Sequence, residues 1–351
     1  MKDQIQVYVG TAGHSVWFSD DLGNRFIHPN SHSGMYLEAR VWSFSSHPEN
    51  KDILYAGTDM GMFVWDEKTT RWTFIESPAK DIWAICQNPK NPNFLLIGSR
   101  PAELFYSEDA GKNWEKIIIP GLKSFSEINM GPTRFTQILF DPIDDGTIWA
   151  TVEIGGIFRS TDFGKTWIEV SSGLESIDVH GICITQNLSK QKIIYATTNL
   201  GLHRSTNDGL TWEFVLLDSP WQYTRAIIKQ PDNPSILWLC NGNGPPGNAG
   251  KLLKSHDFGY SWEEVFISTS FNSTPWCIAV DESNPTLFFL GSNLGQIFRS
   301  ENGGQTWEKL AHEFGEIRAL HWRTIKLDEN RPPHSITIRK PPPISKVKNE
   351  I

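Results

Sequence analysis

Short segments in which apolar and polar residues alternate recur along the chain, four to a unit. One unit contains them at Ile82–Pro89, Phe94–Ser99, Glu103–Ser107 and Trp114–Ile118. Each has the length of a β-strand and its period of two residues, and Pro, Asn and Gly mark the gaps between them. The pattern predicts an all-β protein built from four-stranded units.

One motif, SxDxGxxW, lies between the third and fourth predicted strands of these units. Its full copies are SEDAGKNW, STDFGKTW and SHDFGYSW; STNDGLTW and SENGGQTW carry Asn for Asp, SDDLGNRF carries Phe for Trp, and WDEKTTRW keeps only the Trp. The copies begin at residues 19, 65, 107, 160, 205, 255 and 300, at intervals of 42 to 53 residues. Such intervals are typical of four-stranded propeller blades.

The residues of the motif have a structural explanation. Asp or Asn and Ser can bond the backbone of a tight turn, Gly permits a positive φ, and the Trp packs the outer strand against the neighbouring sheet. We therefore interpret Asp109, Asp162 and Asp257 as turn residues rather than catalytic ones.

The first unit lacks its inner strand, and the end of the chain supplies one. The four segments concerned are Gln6–Thr11, Ser15–Ser19, Arg25–His28 and, near the other end, Glu316–Trp322. Pairing the last with the first covers two sheet edges and closes a ring. We predict a seven-bladed β-propeller with four-stranded blades, closed by a C-terminal strand that completes the N-terminal blade.

Composition supports one folded domain followed by a tail. Of 351 residues, 39% are hydrophobic and 21% charged, which suits a globular core. We assign residues 1–323 to the propeller and residues 324–351, rich in Pro and Lys, to a flexible tail. We expect the chain to be a monomer.

The net charge indicates which classes of partner are disfavoured, and the N-terminal sequence indicates a cellular compartment. A net charge of −8 disfavours binding to nucleic acid or to an anionic membrane. The chain enters a strand pattern within a few residues and has no apolar signal or membrane-spanning segment, so we expect a cytoplasmic protein. Four cysteines without CxxC spacing predict reduced thiols, and neither metal nor cofactor is expected.

The repeated SxDxGxxW motifs resemble those of the Asp-box, or BNR-repeat, propellers, and the resemblance covers residues 1–323. That superfamily includes sialidases, two-propeller xyloglucanases, sortilin-type sorting receptors and photosystem II assembly factors. The resemblance implies the fold and leaves the function open among glycosidases, receptors and assembly factors. Sialidases also carry an RIP motif, which this sequence lacks, so sialidase activity in the strict sense is disfavoured.

Polar residues at the start of the inner strands should meet at the mouth of the central channel. Aligning the seven strands gives an outer tier of Arg40, Asp81, Arg134, Asp178, Tyr223, Thr274 and Glu316. Two residues further along lies an inner tier of Trp42, Trp83, Thr136, His180, Arg225, Trp276 and Arg318. In an acidic protein this set indicates a pocket for an anionic or carbohydrate-like ligand. The alternative is a ring of salt bridges that only stabilises the closed propeller.

Two functions fit this funnel. In the first, the propeller binds a small anionic or carbohydrate ligand, or a protein partner, through Arg40, Arg134, Arg225, Arg318, Trp42, Trp83 and Trp276. In the second it is an enzyme, a glycoside hydrolase or a lyase, acting on a sugar or an anionic metabolite. Its candidate catalytic residues are Asp81, Glu316, Asp178, Tyr223 and His180.

Overall fold

Every regular element within residues 2–128 and 130–327, the part of the chain that this computed structural model describes, is a β-strand. All but two of the strands form seven antiparallel sheets, and the innermost strand of each sheet contacts the innermost strands of its two neighbours around a closed ring. This confirms the predicted seven-bladed β-propeller.

The strand bounds are as follows. Blades 1 to 3 contain β1 (Lys2–Thr11), β2 (Val16–Ser19), β3 (Val41–Ser46), β4 (Leu54–Thr58), β5 (Gly61–Asp66), β6 (Arg71–Ile75), β7 (Ile82–Asn88), β8 (Asn91–Ser99), β9 (Leu104–Ser107) and β10 (Glu115–Ile117). A separate hairpin of β11 (Phe125–Ser126) and β12 (Gly131–Pro132) precedes blade 4. Blades 4 and 5 contain β13 (Arg134–Phe140), β14 (Ile148–Glu153), β15 (Gly156–Ser160), β16 (Ile168–Glu169), β17 (Val179–Gln186), β18 (Lys192–Thr198), β19 (Leu202–Ser205) and β20 (Glu213–Val215). Blades 6 and 7 contain β21 (Thr224–Gln230), β22 (Asn233–Gly242), β23 (Gly250–Ser255), β24 (Glu263–Glu264), β25 (Pro275–Asp281), β26 (Asn284–Ser292), β27 (Ile297–Ser300) and β28 (Glu308–Lys309), and β29 (Ile317–Leu327) returns to blade 1.

Blade 1 differs from the prediction at its outer edge. The segment Arg25–His28 was predicted as a fourth strand, but it makes only a single bridge, between Phe18 and Ile27. The sheet therefore has three strands, in the order β2, β1, β29.

The Asp-box motifs form tight turns that their own side chains hold together. In the box at Ser160, the hydroxyl donates to Asp162 Oδ1 at 2.8 Å and accepts the Gly164 N–H at 2.9 Å. Asp162 Oδ1 also accepts the N–H of Thr166 at 2.8 Å. The Trp167 indole donates back to the Gly164 carbonyl at 2.9 Å, so the turn also fixes the core tryptophan.

The glycine of the box allows neighbouring blades to approach each other. Gly304 has a φ of +77°, and a Cβ placed on it would lie 2.1 Å from the ring of Trp238 in blade 6. Trp238 is fully buried, and it packs against Trp307 of the same box. A larger residue at Gly304 would be strained and would displace this inter-blade core.

The ring closes through the pairing of β1 with β29, which runs from Lys2–Leu327 to Thr11–Ile317. Arg323 on β29 is fully buried and donates to Gln6 Oε1 at 3.1 Å, to Tyr8 Oη at 3.0 Å and to Glu67 Oε2 of blade 2 at 2.8 Å. The closing strand thus extends beyond the predicted domain end at residue 323 to Leu327. Residues 328–351, the rest of the predicted tail, lie outside the described residues.

We predict that the fold depends on this closure. A chain that ends before Glu316 leaves the long edge of β1 unpaired and removes the buried Arg323 guanidinium that joins β29 to blade 2, and it should lose most of its thermal stability. A chain that ends at Leu327 keeps every β1–β29 pair and should melt close to the full-length protein. Equal losses of melting temperature in the two truncations would contradict this account.

A second prediction concerns acid stability. Hydrogen bonds from the N–H and hydroxyl of Thr166 lower the pKa of Asp162 to about 2. Because this pKa lies below that of the unfolded chain, the stabilisation is present above roughly pH 4 and is lost as pH falls through about 2. Asn207 and Asn302 fill the same position in two other boxes with the same backbone hydrogen bond. Asp162→Asn should therefore fold and show a flatter fall in melting temperature between pH 4 and 2; an unchanged pH dependence would argue against Asp162 as its source.

Candidate functional site

Each inner strand carries a β-bulge close to its funnel end. Between β7 and β8, for example, Ile82 pairs with Ser99 and Ala84 with Gly98, which leaves Trp83 without a partner residue in the register. The same one-residue slip occurs in all seven blades. The residues at these bulges are Trp42, Trp83, Thr136, His180, Arg225 with Ala226, Trp276 and Arg318.

The bulge explains how these side chains reach the channel. Side chains of a regular inner strand alternate between the two neighbouring blades, because the sheets are arranged radially. The extra residue of a bulge leaves that alternation, and its side chain is directed elsewhere. All seven bulges lie at the same depth, so their side chains form one ring.

This ring encloses a cavity of about 150 Å3 that opens to solvent. It is lined by Trp42, Trp83, Thr136, His180, Arg225, Ala226, Trp276 and Arg318. The structure therefore brings together all seven residues of the predicted inner tier, although more than two hundred residues separate the first from the last in the sequence.

Aromatic rings and guanidinium groups stack around the wall. The indoles of Trp42 and Trp83 are 3.9 Å apart and nearly parallel, at 12°, and the Arg134 guanidinium lies 4.1 Å from the Trp83 ring. Across the channel, Arg225 lies 3.8 Å and Arg318 4.9 Å from the Trp276 ring. These contacts hold three positive groups at defined positions beside the cavity.

Two outer-tier carboxylates hold inner-tier side chains in place. Asp81 Oδ1 accepts the indole N–H of Trp42 at 2.7 Å. Burial raises the pKa of Asp81, while the hydrogen bond from the Trp42 indole opposes this rise. Glu316 forms an ion pair with Arg318. Both were predicted as catalytic candidates, but their oxygens already bond neighbouring side chains.

Asp178 has the most strongly raised pKa among the carboxylates of the funnel. Burial, followed by the charge of Glu153, raises the pKa of Asp178 to about 6, although Arg225 and Arg134 act in the opposite direction. Its Oδ1 is buried and accepts no hydrogen bond from the described residues. Asp178 therefore combines a raised pKa with a buried carboxyl oxygen that has no hydrogen-bond partner among the described residues.

His180 lies between Asp178 and blade 6. Its Nδ1 is 2.6 Å from the Thr224 carbonyl oxygen, and its Nε2 is 3.6 Å from Asp178 Oδ1. Burial, together with the charge of Arg225, places the pKa of His180 well below its usual range, so the imidazole is neutral. Tyr223 packs on this ring at 5.1 Å, and burial raises the pKa of its phenol.

Two further charged residues, Glu153 and Arg100, lie at the funnel outside the two aligned tiers. Glu153, at the end of β14, pairs with Arg134. Burial lowers the pKa of Arg134. The charge of Glu153 raises this pKa, whereas the charges of Arg225 and Arg100 lower it further. Glu153 and Arg100 both lie where a second strand ends at the funnel face, a position that the inner-strand alignment did not include.

Arg40 is placed differently from its prediction as a ligand-binding residue. Its side chain is exposed, its backbone N–H donates to Asp59 Oδ1 at 2.9 Å, and it does not line the cavity. Thr274 is also absent from the lining, since its hydroxyl donates to the Gly244 carbonyl at 2.6 Å.

Within residues 2–128 and 130–327, no group of three His, Cys, Asp or Glu side chains is arranged to hold a metal ion. In the same ranges, no helix is long and apolar enough to cross a membrane. The free cysteines are Cys86, Cys183, Cys240 and Cys277.

Comparisons with known proteins agree with this architecture. The BNR-Asp box repeat model matches residues 157–170, which contain the box at Ser160. The xyloglucanase Xgh74A of Acetivibrio thermocellus is 27% identical over 330 residues, covering 78% of this chain and 38% of the enzyme. Rat sortilin is 24% identical over 264 residues, covering 73% of this chain and 31% of sortilin. The chain thus spans under half the length of these curated relatives.

Solved structures show the same fold at low identity. The GH74 xyloglucanase from Xanthomonas campestris superposes with a TM-score of 0.64 at 17% identity, covering 90% of this chain and 52% of the enzyme. YCF48 bound to D1 peptide superposes with a TM-score of 0.55 at 18% identity, covering 78% of this chain and 81% of YCF48. The similar proteins therefore include both carbohydrate hydrolases and proteins with other roles.

The repeat match, the six turns in which a box serine accepts the glycine N–H, and the closed ring of blades lead to one assignment. This chain is a seven-bladed β-propeller that carries BNR-Asp box repeats.

Proposed function

We propose that this propeller is a carbohydrate hydrolase that holds an anionic group of its substrate in the channel. In this proposal Asp178 is the general acid, and Glu153 is the base or nucleophile. The observation that carries it is the pairing of two carboxylates in opposite environments at the junction of blades 4 and 5. The similarity to xyloglucanases supports carbohydrate as the substrate class.

The two carboxylates have the complementary character that glycoside hydrolysis requires. Asp178, with a pKa raised to about 6, carries a proton in roughly one molecule in ten at pH 7 and can donate it to the leaving oxygen. Glu153 is ion-paired with Arg134, which holds its carboxylate in position for attack or for activation of water. The backbone joins their loops, since Gly155 N–H donates to the Ile177 carbonyl at 3.1 Å.

The arginines supply a binding site for negative charge. Arg134 and Arg318 have carboxylate partners, whereas Arg225 forms no ion pair among the described residues. Burial is the main cause that lowers the pKa of Arg318. The charges of Arg225 and Arg134 lower it further, whereas the charge of Glu316 raises it. A carboxylate or sulfate in the cavity would relieve this repulsion and would bond to preorganised guanidinium groups.

The size of the cavity limits what enters it. A volume of about 150 Å3 is close to that of a cavity that accommodates benzene. It accepts one charged ring or group rather than a polymer. We therefore propose that a single acidic unit of the substrate occupies the channel and that the rest of the carbohydrate lies on the funnel face.

Binding without cleavage is the second candidate function. The eight residues that line the cavity include arginine, tryptophan and histidine but no carboxylate. A ligand confined to the cavity would therefore contact binding groups only. In this function the propeller holds an acidic ligand, or a partner that presents an acidic group, without reacting with it.

Substitution of the carboxylates tests hydrolysis. On an acidic oligosaccharide that the protein cleaves, Asp178→Asn and Glu153→Gln should each reduce kcat by about 10²–10⁴-fold, the usual contribution of a general acid or base. Asp81→Asn is the matched control, because Asp81 bonds an indole rather than substrate, and it should lose much less. If calorimetry shows that the wild-type protein binds uronate or sulfated oligosaccharides, and the protein does not cleave them, the second function is favoured.

Two arginine variants test the charge of the cavity. Arg225→Ala should weaken binding of an acidic oligosaccharide by about 1.5–3 kcal/mol, the value of a charge-assisted hydrogen bond, and should change the melting temperature little. Arg134→Ala should also lower the melting temperature, because it leaves Glu153 as an unpaired, partly buried charge. If both variants lose stability and the wild-type protein responds to no acidic ligand, the ring is structural.

A further inference from the structure

We propose that His180 is a positioning residue for Asp178, whose Oδ1 it keeps protonated by presenting the lone pair of its Nε2 to that oxygen. This inference rests on the proposed function for the use of the proton in catalysis. The interaction itself follows from the positions of the two side chains. A hydrogen bond from Asp178 Oδ1 to His180 Nε2 would fix the orientation of the Asp178 carboxyl group. It would also determine which of the two carboxyl oxygens is exposed to substrate.

The tautomer of His180 follows from its partner on blade 6. The Thr224 carbonyl oxygen can only accept a hydrogen bond, and it lies 2.6 Å from Nδ1, so Nδ1 carries the hydrogen. A neutral imidazole has one N–H group, and the burial of this ring keeps it neutral. Nε2 therefore has a lone pair and no hydrogen.

The lone pair faces a carboxyl oxygen that has no other partner. Nε2 lies 3.6 Å from Asp178 Oδ1, and that oxygen accepts no hydrogen bond from the residues that the structure describes. If Asp178 were ionised, two acceptors would face each other in a buried site, which is unfavourable. If Oδ1 carries the proton, it can donate to Nε2. The distance exceeds that of a hydrogen bond, and contacts of this kind often shorten when substrate binds.

The charges around Asp178 act on its ionisation in opposite directions, and a hydrogen-bond acceptor beside it would favour its neutral form. Glu153 favours the neutral form of Asp178, whereas Arg225 and Arg134 favour the ionised form. The Tyr223 ring covers His180 on the other side, and its phenol is un-ionised at neutral pH because burial raises its pKa. Two cations beside one competing anion would favour ionisation of Asp178, and His180 acts against them.

The β-bulge accounts for the geometry. His180 is the extra residue between the pairs Val179–Thr198 and Gly181–Thr197. Its ring is turned out of the strand alternation, toward Asp178 two residues earlier and toward Thr224 on the next blade. In a regular strand, the ring would pack between blades instead.

A titration of the intact protein tests the proposal without any substrate. The carboxyl 13C resonance of Asp178 is assigned from its loss in Asp178→Asn and followed with pH in the wild-type protein, in His180→Phe and in Tyr223→Phe. His180→Phe keeps a ring but removes the acceptor, so the midpoint should fall by about one pH unit, since a hydrogen bond to the neutral acid is lost. Tyr223→Phe, the matched control, should leave the midpoint within a few tenths. An unchanged midpoint in a folded His180→Phe protein would overturn the proposal.

A second measurement needs no substitution, and so it holds even if His180→Phe does not fold. The 15N shifts of His180 in the wild-type protein should show a protonated Nδ1 and a bare Nε2, and the Nε2 shift should change with the midpoint of Asp178. A protonated Nε2, or no response to Asp178, would contradict the proposal. If both measurements agree with it and no carbohydrate is cleaved, the proposed hydrolase function fails while the role of His180 stands.

Discussion

The pairing of the first strand with the last is the constraint on which the rest of this structure depends. Among the described residues, the pairing of β1 with β29 is the strand pairing that joins the beginning of the ring to its end, and it holds the first and last inner strands at a common depth. The buried Arg323 guanidinium on β29 strengthens the pairing, because its hydrogen-bond partners come from β1 and from blade 2. Arg318 belongs to the same closing strand, so the ring of channel residues is complete only in the closed propeller.

Opposing charges around the funnel show how a structural network can also be a binding site. Glu316 and Glu153 neutralise two arginines, and Asp81 holds a tryptophan rather than an arginine. Arg225 is left with its charge uncompensated by an ion pair among the described residues, although it is stacked on Trp276. A purely structural ring would be expected to pair that charge, because an unpaired, partly buried cation reduces stability.

Much of the fold and the identity of the cavity-lining residues could be predicted from the sequence. The spacing of the boxes fixed the blades, and the alignment of the inner strands selected the residues that the cavity brings together, including Trp83, Arg225 and Arg318. The alignment assumed regular strands, yet a bulge directs each of these side chains to the channel. The choice was right because every blade carries the bulge at the same place, so the alignment was not disturbed.

The features that sequence did not predict depend on contacts between distant segments. The closing strand continues past residue 323 because Arg323 meets Gln6 and Glu67, more than 250 residues away in the chain. The weak outer edge of blade 1 and the exposed position of Arg40 reflect local packing that no alternation encodes. Likewise the pairing of Glu153 with Arg134 joins two strands of blade 4, and the inner-strand alignment considered only one of them.

The bulges have a consequence for how such a protein can change over evolutionary time. A side chain that leaves the alternation of its strand is released from the requirement to fit between two blades. Mutation at these seven positions can therefore alter what the channel recognises at little cost to folding, while the residues on either side preserve the propeller. One scaffold can in this way acquire different ligands through a handful of substitutions, without new loops or a new core.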